Sequence, residues 1–386
     1  MTDRWGRIMR TAKVTRIALT VMLVSLIPAC SSSGSSASES RTGAALPPSS
    51  STPSSTTAPT TGSTPLAVWP DPANNGPIAF GRWLDETTRA IFVINPDGTG
   101  ERQLTHPDQA VIDNNPDWSP DGSKIAFERC IVRCEVWTIN ENGSGLKRLG
   151  PNCLEVPVPA CEDRSSPAWS PDGRVLAVDR AFGPVTNDQI KHSQLALIDA
   201  STGRLIRTVD APAPYSADVG NAGWSPDGER LVFGQHDSAL GNPPGGRALF
   251  VINADGTGLR RLTAWRLNGG DHPVSSPDGM LILFRTIEPL TNSDLALPTE
   301  TSLDELHGHL YTVHPDGTGL HQLTHYDSST IVLSYSFSPN GRWITYAKSG
   351  VGGGPDIFLM RLDGTGLQPV TRTSLWDSVP DWGPAR

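Results

Sequence analysis

The chain has 386 residues, 37% of them hydrophobic, with 40 acidic against 31 basic side chains and a formal charge of -9. That acidic excess leaves no basic field to attract nucleic acid or anionic lipid, and the hydrophobic share supports a large core but not several membrane spans. The 38 glycines and 34 prolines suit short strands joined by tight turns.

Residues 1–29 read as a lipoprotein signal peptide. Arg4, Arg7, Arg10, Lys13 and Arg16 precede an apolar run at 17–27, and "IPAC" ends at Cys30. Ala29 supplies the small residue needed before the cut, although Ile27 stands where Leu is commoner. Cys30 is therefore the expected lipidation site. The apolar run is shorter than the ~20 residues of a membrane span, so the expected contact with the membrane is the lipid anchor only, on a chain outside the cytoplasm. Residues 30–68 then form the lipidated Cys and a tether, whose "PPSSSTPSSTTAPTTGSTP" has too little apolar surface to fold. The folded domain is expected over 69–386.

Within that domain a unit repeats. "WSPDG" stands at 118–122, 169–173 and 224–228, followed by "SSPDG" at 275–279 and "FSPNG" at 337–341. Ser, Pro, Asp and Gly in that order suit a type I turn, because Pro presets φ at the second position and Gly tolerates the left-handed region at the fourth. Strand patterns follow: "KIAF" at 124–127, "RVLAV" at 174–178, "RLVF" at 230–233. A second turn recurs in "IFVINPDGTGERQLT" at 91–105, "VWTINENGSGLKRLG" at 136–150, "LALIDASTGRLIRTV" at 195–209, "LFVINADGTGLRRLT" at 249–263, "LYTVHPDGTGLHQLT" at 310–324 and "IFLMRLDGTGLQPVT" at 357–371. Each unit thus reads as four antiparallel strands with short turns on one side and a variable insert on the other.

Six such units predict an all-β fold, a six-bladed β-propeller of four-stranded antiparallel blades. Over 76–386 the units resemble the WD-like repeats of the TolB propeller family, which are also related to the propeller of prolyl oligopeptidases. Departures are Ser275 for Trp, Asn340 for Asp, and "ASTG" at 200–203. The N-terminal domain of TolB has no counterpart, its place being taken by the tether, which weakens the case for a role in the Tol system. The first unit lacks its turn-bearing strand while "VPDWGP" at 379–384 is an orphan copy. The C-terminal strand is therefore expected to pair into the first blade and close the ring.

Long, dissimilar loops at 106–115, 151–165, 180–192, 235–247 and 285–308 fall on the face opposite the uniform turns, and binding is expected there. Residues entering the innermost strands should rim the channel mouth: Asp113, Asn114, Asn115, Arg164, Asn221, Asp271, His272, Tyr335 and Asp377, with Ser165, Ser334 and Ser378 beside them. Cys130, Cys134, Cys153 and Cys161 are disulfide candidates in an exported chain, with 130 to 134 and 153 to 161 favoured and the crossed pairings open.

No catalytic constellation is expected. A Gly-x-Ser-x-Gly elbow does not occur in the folded region, and "GTGLRR" at 256–261 lacks the third glycine and the helix of a dinucleotide site, so no cofactor is expected. His272, His307 and His309 are weak candidates for a metal. The sequence therefore predicts a monomeric binding module for a protein or cell-envelope component, not for nucleic acid. The alternative is a propeller enzyme, a polysaccharide lyase or hydrolase with or without a metal.

Overall fold

The computed structural model describes residues 71–131, 133–151, 162–182, 192–209, 219–236, 247–286, 308–327, 330–349 and 354–385. The signal peptide, the tether, the longest loops, and with them Cys30, Cys153, Cys161 and His307, lie outside the described residues.

The repeated turns form for the reason their letters suggest. Ser119 Oγ donates to Asp121 Oδ1 at 2.7 Å and accepts the Lys124 N–H at 2.9 Å, while Gly122 takes φ 67° and bonds back to the Ser119 carbonyl. The copies at Ser170, Ser225, Ser276 and Ser338 repeat this pattern. In the second turn Asp97 Oδ1 accepts both the N–H and the hydroxyl of Thr99, and Asp255, Asp316 and Asp363 do the same for the threonine two residues on.

Between these turns run β1 (Ile78–Trp83), β2 (Arg89–Ile94) and β3 (Arg102–Gln103), then β4 (Ile112–Trp118), β5 (Lys124–Cys130), β6 (Cys134–Asn140) and β7 (Lys147–Leu149). Next come β8 (Asp163–Trp169), β9 (Val175–Phe182), β10 (His192–Asp199) and β11 (Leu205–Val209), then β12 (Val219–Trp224), β13 (Arg230–His236), β14 (Arg247–Asn253) and β15 (Arg260–Arg261). The last are β16 (Gly269–Ser275), β17 (Ile282–Thr286), β18 (Leu310–Val313), β19 (His321–Gln322), β20 (Val332–Phe337), β21 (Trp343–Lys348), β22 (Asp356–Arg361), β23 (Gln368–Pro369) and β24 (Asp377–Trp382).

From β8 to β23 each run of four consecutive strands makes one four-stranded antiparallel sheet. The remaining sheet joins two antiparallel runs, β24-β1-β2-β3 and β4-β5-β6-β7, through one parallel pair between Arg89 and Ile112. The C-terminal strand β24 therefore pairs antiparallel with β1, the first of the described strands. The first strand of each run touches the next: β24 to β4, β4 to β8, β8 to β12, β12 to β16, β16 to β20, and β20 to β24.

The core lies between neighbouring sheets, which explains why strands such as β2 are buried on both faces rather than alternating. Ala177, Leu195 and Leu197 of one sheet pack against Leu231, Phe233 and Phe250 of the next. Phe80, Phe92 and Trp382 likewise pack against Trp343, Ile357 and Leu359. Cys130 and Cys134 are paired across the end of the β5–β6 hairpin as a disulfide, with their Cα atoms 4.0 Å apart. No helix of the described residues is long and apolar enough to cross a membrane.

Candidate functional site

Each of the six innermost strands carries an extra residue at the same place. Asn114 and Asp117 on β4 are three residues apart, while their partners Glu128 and Ala126 are two apart. The same three-against-two step occurs at Ser165 and Ala168, Gly220 and Gly223, Asp271 and Val274, Val332 and Tyr335, and on β24 at Ser378 and Asp381. These are β-bulges. Asn115, Ser166, Asn221, His272 and Val379 occupy the left-handed region within them, at φ 48°, 50°, 43°, 46° and 52°. Asparagine tolerates that conformation; a β-branched valine does so at a cost.

A bulge leaves N–H groups that the ladder cannot use, and the neighbouring sheet supplies acceptors. In an outer tier Ser166 N–H donates to Glu128 Oε2 at 2.9 Å, Asn221 N–H to Asp179 Oδ2 at 3.0 Å, and Val379 N–H to Ser334 Oγ at 2.6 Å. In an inner tier Trp118 N–H donates to Asp381 Oδ2 at 2.8 Å, Trp169 N–H to Asp117 Oδ2 at 2.6 Å, and Trp382 N–H to Ser336 Oγ at 3.3 Å. The bulges thus stitch each of these innermost strands to the first or second strand of the neighbouring run.

They also divide the axial space. One cavity, of about 440 Å³, lies on the side of the long loops and is lined by Arg89, Glu128, Asp179, Arg285, Trp83 and Trp376 among others. A second, of about 410 Å³, is rimmed by the turn prolines Pro120, Pro171, Pro226, Pro277, Pro339 and Pro384, with Trp118, Trp169, Trp224, Phe337 and Trp382 behind them. Asn115, Ser166, Asn221, His272, Ser334 and Val379 line both and form the waist between them. At that waist Asn221 Nδ2 stands 3.0 Å from His272 Nδ1.

Charge separates the two chambers. The loop-side chamber mixes arginines with carboxylates, whereas the proline-rimmed one has Asp117 and Asp381 and, among the described residues, no lysine or arginine. Burial pushes the Asp117 carboxyl well above the ordinary aspartate range, and the nearby Asp381 pushes it further, against the bond from Trp169 N–H. Burial raises Asp381 as well, opposed by the donors on Trp118, Ser336 and Trp382.

The residues expected at the channel mouth divide accordingly. Asn114, Asn115, Asn221 and His272 line the loop-side chamber, as do Ser165, Ser334 and Ser378. Tyr335 is buried, faces the proline-rimmed cavity, and accepts the Arg285 N–H on its hydroxyl at 2.8 Å. Asp113 and Asp377 line neither cavity; each is fully buried in a 2.6 Å ion pair with an arginine on the adjacent strand, Arg129 and Arg82 respectively. Arg164 bonds to the Gly203 carbonyl and reaches Glu162. Asp271 is paired in β16 through its backbone, and its side chain lies outside the description.

Among the described residues no group of three His, Cys, Asp or Glu side chains is placed to hold a metal ion. His309 is buried with its ring 6.4 Å from that of His325, away from His272 at the waist. Arg89, Glu128, Asp179, Arg285, Asp117 and Asp381 were not among the residues expected from the sequence. For the last two a signal existed: "PDW" stands at both 116–118 and 380–382, where the other copies read "PAW", "AGW", "PVS" and "YSF" and carry no Asp.

Four-stranded antiparallel sheets set side by side, with their first strands around common axial cavities, define the β-propeller class. More particularly, the fold is a propeller of the TolB type. It is similar to TolB from Acinetobacter baumannii, with a TM-score of 0.60 at 18% identity over 83% of this chain and 69% of that one. It is also similar to a putative TolB from Agrobacterium tumefaciens, with a TM-score of 0.54 at 16% identity over 80% of this chain and 99% of that one. In sequence, 84 residues are 34% identical to the Tol-Pal system protein TolB of Rhizorhabdus wittichii, covering 21% of this chain and 16% of that protein. A stretch of 208 residues is 25% identical to the uncharacterized peptidase YuxL of Bacillus subtilis, covering 44% of this chain and 29% of that protein. The chain thus spans less than a third of the length of these curated relatives. No protein-family model matches it.

Proposed function

We propose that residues 69–386 form a closed six-bladed propeller, held outside the cytoplasm by a lipid on Cys30, that binds a protein or cell-envelope component through its loop-side chamber. Closure is supported by the pairing of β24 with β1 and by the ion pair Asp377–Arg82, which repeats Asp113–Arg129 at the equivalent place one unit on. The anchor rests on the "IPAC" motif and the tether after it. Replacing Cys30 with Ser should release the protein from the membrane fraction; an unchanged distribution would refute the anchor.

One observation carries the binding reading. The loop-side cavity presents arginines, carboxylates and two tryptophans on a bulged, cross-braced waist, which is a rigid rim of mixed charge with aromatic anchors. The similarity to a protein of the Tol-Pal system supports a protein as the partner. Full-length protein used as bait on envelope extracts should enrich one component reproducibly as a monomeric receptor, and Trp83→Ala should abolish the enrichment while leaving Tm nearly unchanged. Capture that survives Trp83→Ala would move the site elsewhere. A stoichiometric divalent metal lost on His272→Ala would instead favour the enzyme reading.

A further inference from the structure

The net acidic charge conceals an uneven distribution around the outer edges of the sheets. β7, β11 and β15 are the outermost strands of three successive four-strand runs. Together with the turns before them, at 140–150, 199–209 and 253–263, they carry six basic side chains, Lys147, Arg148, Arg204, Arg207, Arg260 and Arg261, against three acidic ones. The equivalent stretches of the other three runs, at 95–105, 314–324 and 361–371, carry two basic and four acidic side chains. All six but the half-buried Arg148 are exposed, and the ion pairs among the described residues belong to other side chains. Lys147 donates instead to the Ser201 carbonyl at 2.7 Å, and Arg260 to the carbonyls of Pro315 and Asp316 at 2.7 and 2.8 Å, so neither charge is neutralised. The first of these contacts joins the run of β7 to that of β11. The next junction is made where Asp255, held low by the hydroxyl and N–H of Thr257, also feels the charge of Arg207. The basic side chains therefore form one strip across three runs, and Leu146 and Ile206 stand on it, 44% and 47% exposed, beside Lys147 and Arg207.

Basic heads interleaved with exposed apolar side chains match the boundary between water and an anionic bilayer. There the cations meet phosphates while the apolar groups enter the edge of the acyl region. A soluble polyanion would answer the charge alone and leave Leu146 and Ile206 in water. We propose that this strip docks the propeller edge-on against a membrane containing anionic phospholipid. Each basic residue brought to such a surface strengthens binding about fivefold, and screening confines the attraction to about 8 Å at physiological salt, so the strip must lie against the headgroups. The strip does not depend on the lipid on Cys30. That lipid would hold the chain on any bilayer, whereas the strip responds only to an anionic one.

The repeat supplies its own controls. Leu320 and Leu367, 49% and 50% exposed, occupy the place of Leu146 in runs outside the strip, followed by His321 and Gln368 instead of Lys147. Full-length protein is labelled with a polarity-sensitive fluorophore through Leu146→Cys, Leu320→Cys or Leu367→Cys, with the unsubstituted chain as the labelling background. Each is mixed with vesicles of phosphatidylcholine alone or of phosphatidylcholine with phosphatidylglycerol. Emission from position 146 should shift to the blue on the anionic vesicles only, and the shift should be lost at high salt. Labels at 320 and 367 should keep their aqueous emission. Adding Arg204→Glu and Arg207→Glu to Leu146→Cys should remove most of the shift without lowering Tm, because both side chains are exposed; the salt comparison needs no charge variant. An equal shift at all three positions, a shift on phosphatidylcholine alone, or no shift at 146 would overturn the proposal. So would capture of the protein by polyphosphate while position 146 stays aqueous on the anionic vesicles.

Discussion

The same residue, aspartate, does opposite work in two regions of the fold. In the exposed turns Asp97, Asp121, Asp172, Asp227, Asp255, Asp278, Asp316 and Asp363 accept hydroxyls and backbone N–H groups from residues close in sequence, and these bonds lower each carboxyl below the ordinary range. On the axis Asp117 and Asp381 also accept backbone N–H groups, yet burial wins and both are raised, Asp117 further by the nearby Asp381. The difference teaches that a hydrogen bond alone does not set the sign; the loss of water does. Turn aspartates hold local geometry, whereas axial aspartates hold neighbouring sheets together and face a cavity.

The comparison can be broken most severely on the axis. Deleting residues 376–386 removes β24, exposes Arg82 to its packing against Phe80 and Phe92 without Asp377, and strips the acceptor from Trp118 N–H. Loss of one partner of a buried pair costs about 3–5 kcal/mol by itself. The expected outcome in calorimetry is loss of the cooperative transition, and unchanged melting would refute a ring sealed by β24.

Asp117→Asn sharpens the contrast through pH. A carboxyl raised in the fold favours the native state only while protonated. Its contribution is present below the unfolded aspartate pKa, near 3.9, and is lost as pH rises through the higher folded value. The Asn variant does not titrate, so its Tm relative to wild type should increase from pH 4 to pH 7. A difference constant across that range would show that Asp117 is not raised.

Val379→Asn addresses the waist. Val379 sits at φ 52°, where a β-branched side chain is strained and asparagine is not. A gain of about 1 kcal/mol in urea unfolding is expected, and a loss would mean that the valine packing outweighs the strain.

The smallest effect belongs to the turns. Asp199 lies at about 2, drawn down by the hydroxyls of Thr202 and Ser201. A lowered carboxyl contributes stability above its unfolded pKa and loses it as pH falls through the folded one, the reverse of Asp117. Asp199→Asn should therefore lower Tm slightly at pH 7, with the gap closing towards pH 2. The chain already contains the relevant substitution in Asn340, whose Oδ1 accepts the Ser338 hydroxyl at 2.8 Å and the Arg342 N–H at 3.0 Å. An acceptor is what such a turn requires, with charge a minor addition.

Much of the architecture was legible in the sequence because turn chemistry is local. The "SPDG" and "DGTG" copies set where strands begin and end, and the orphan "VPDWGP" indicated that β24 would pair with β1. The Cys130–Cys134 pairing was legible for the same reason, since a short hairpin brings its two ends together. The rim was only partly legible. Asn114, Asn115, Asn221 and His272 reach the loop-side chamber, but Asp113 and Asp377, one or two residues away in the same strands, turn from the axis to pair with arginines.

By itself, then, the sequence determined the repeat, the four-strand unit and the pairing of chain ends, all of which follow from turn residues and alternation over a few positions. Only the tertiary structure decided which side chains reach the axis. A bulge adds one residue to each innermost strand and reverses the alternation beyond it. The acceptors that stabilise those bulges come from the next sheet, about 40 to 50 residues away in sequence or, for Asp381 and Trp118, from the other end of the chain. The carboxyls of the two "PDW" segments come near one another only because β24 and β4 stand side by side.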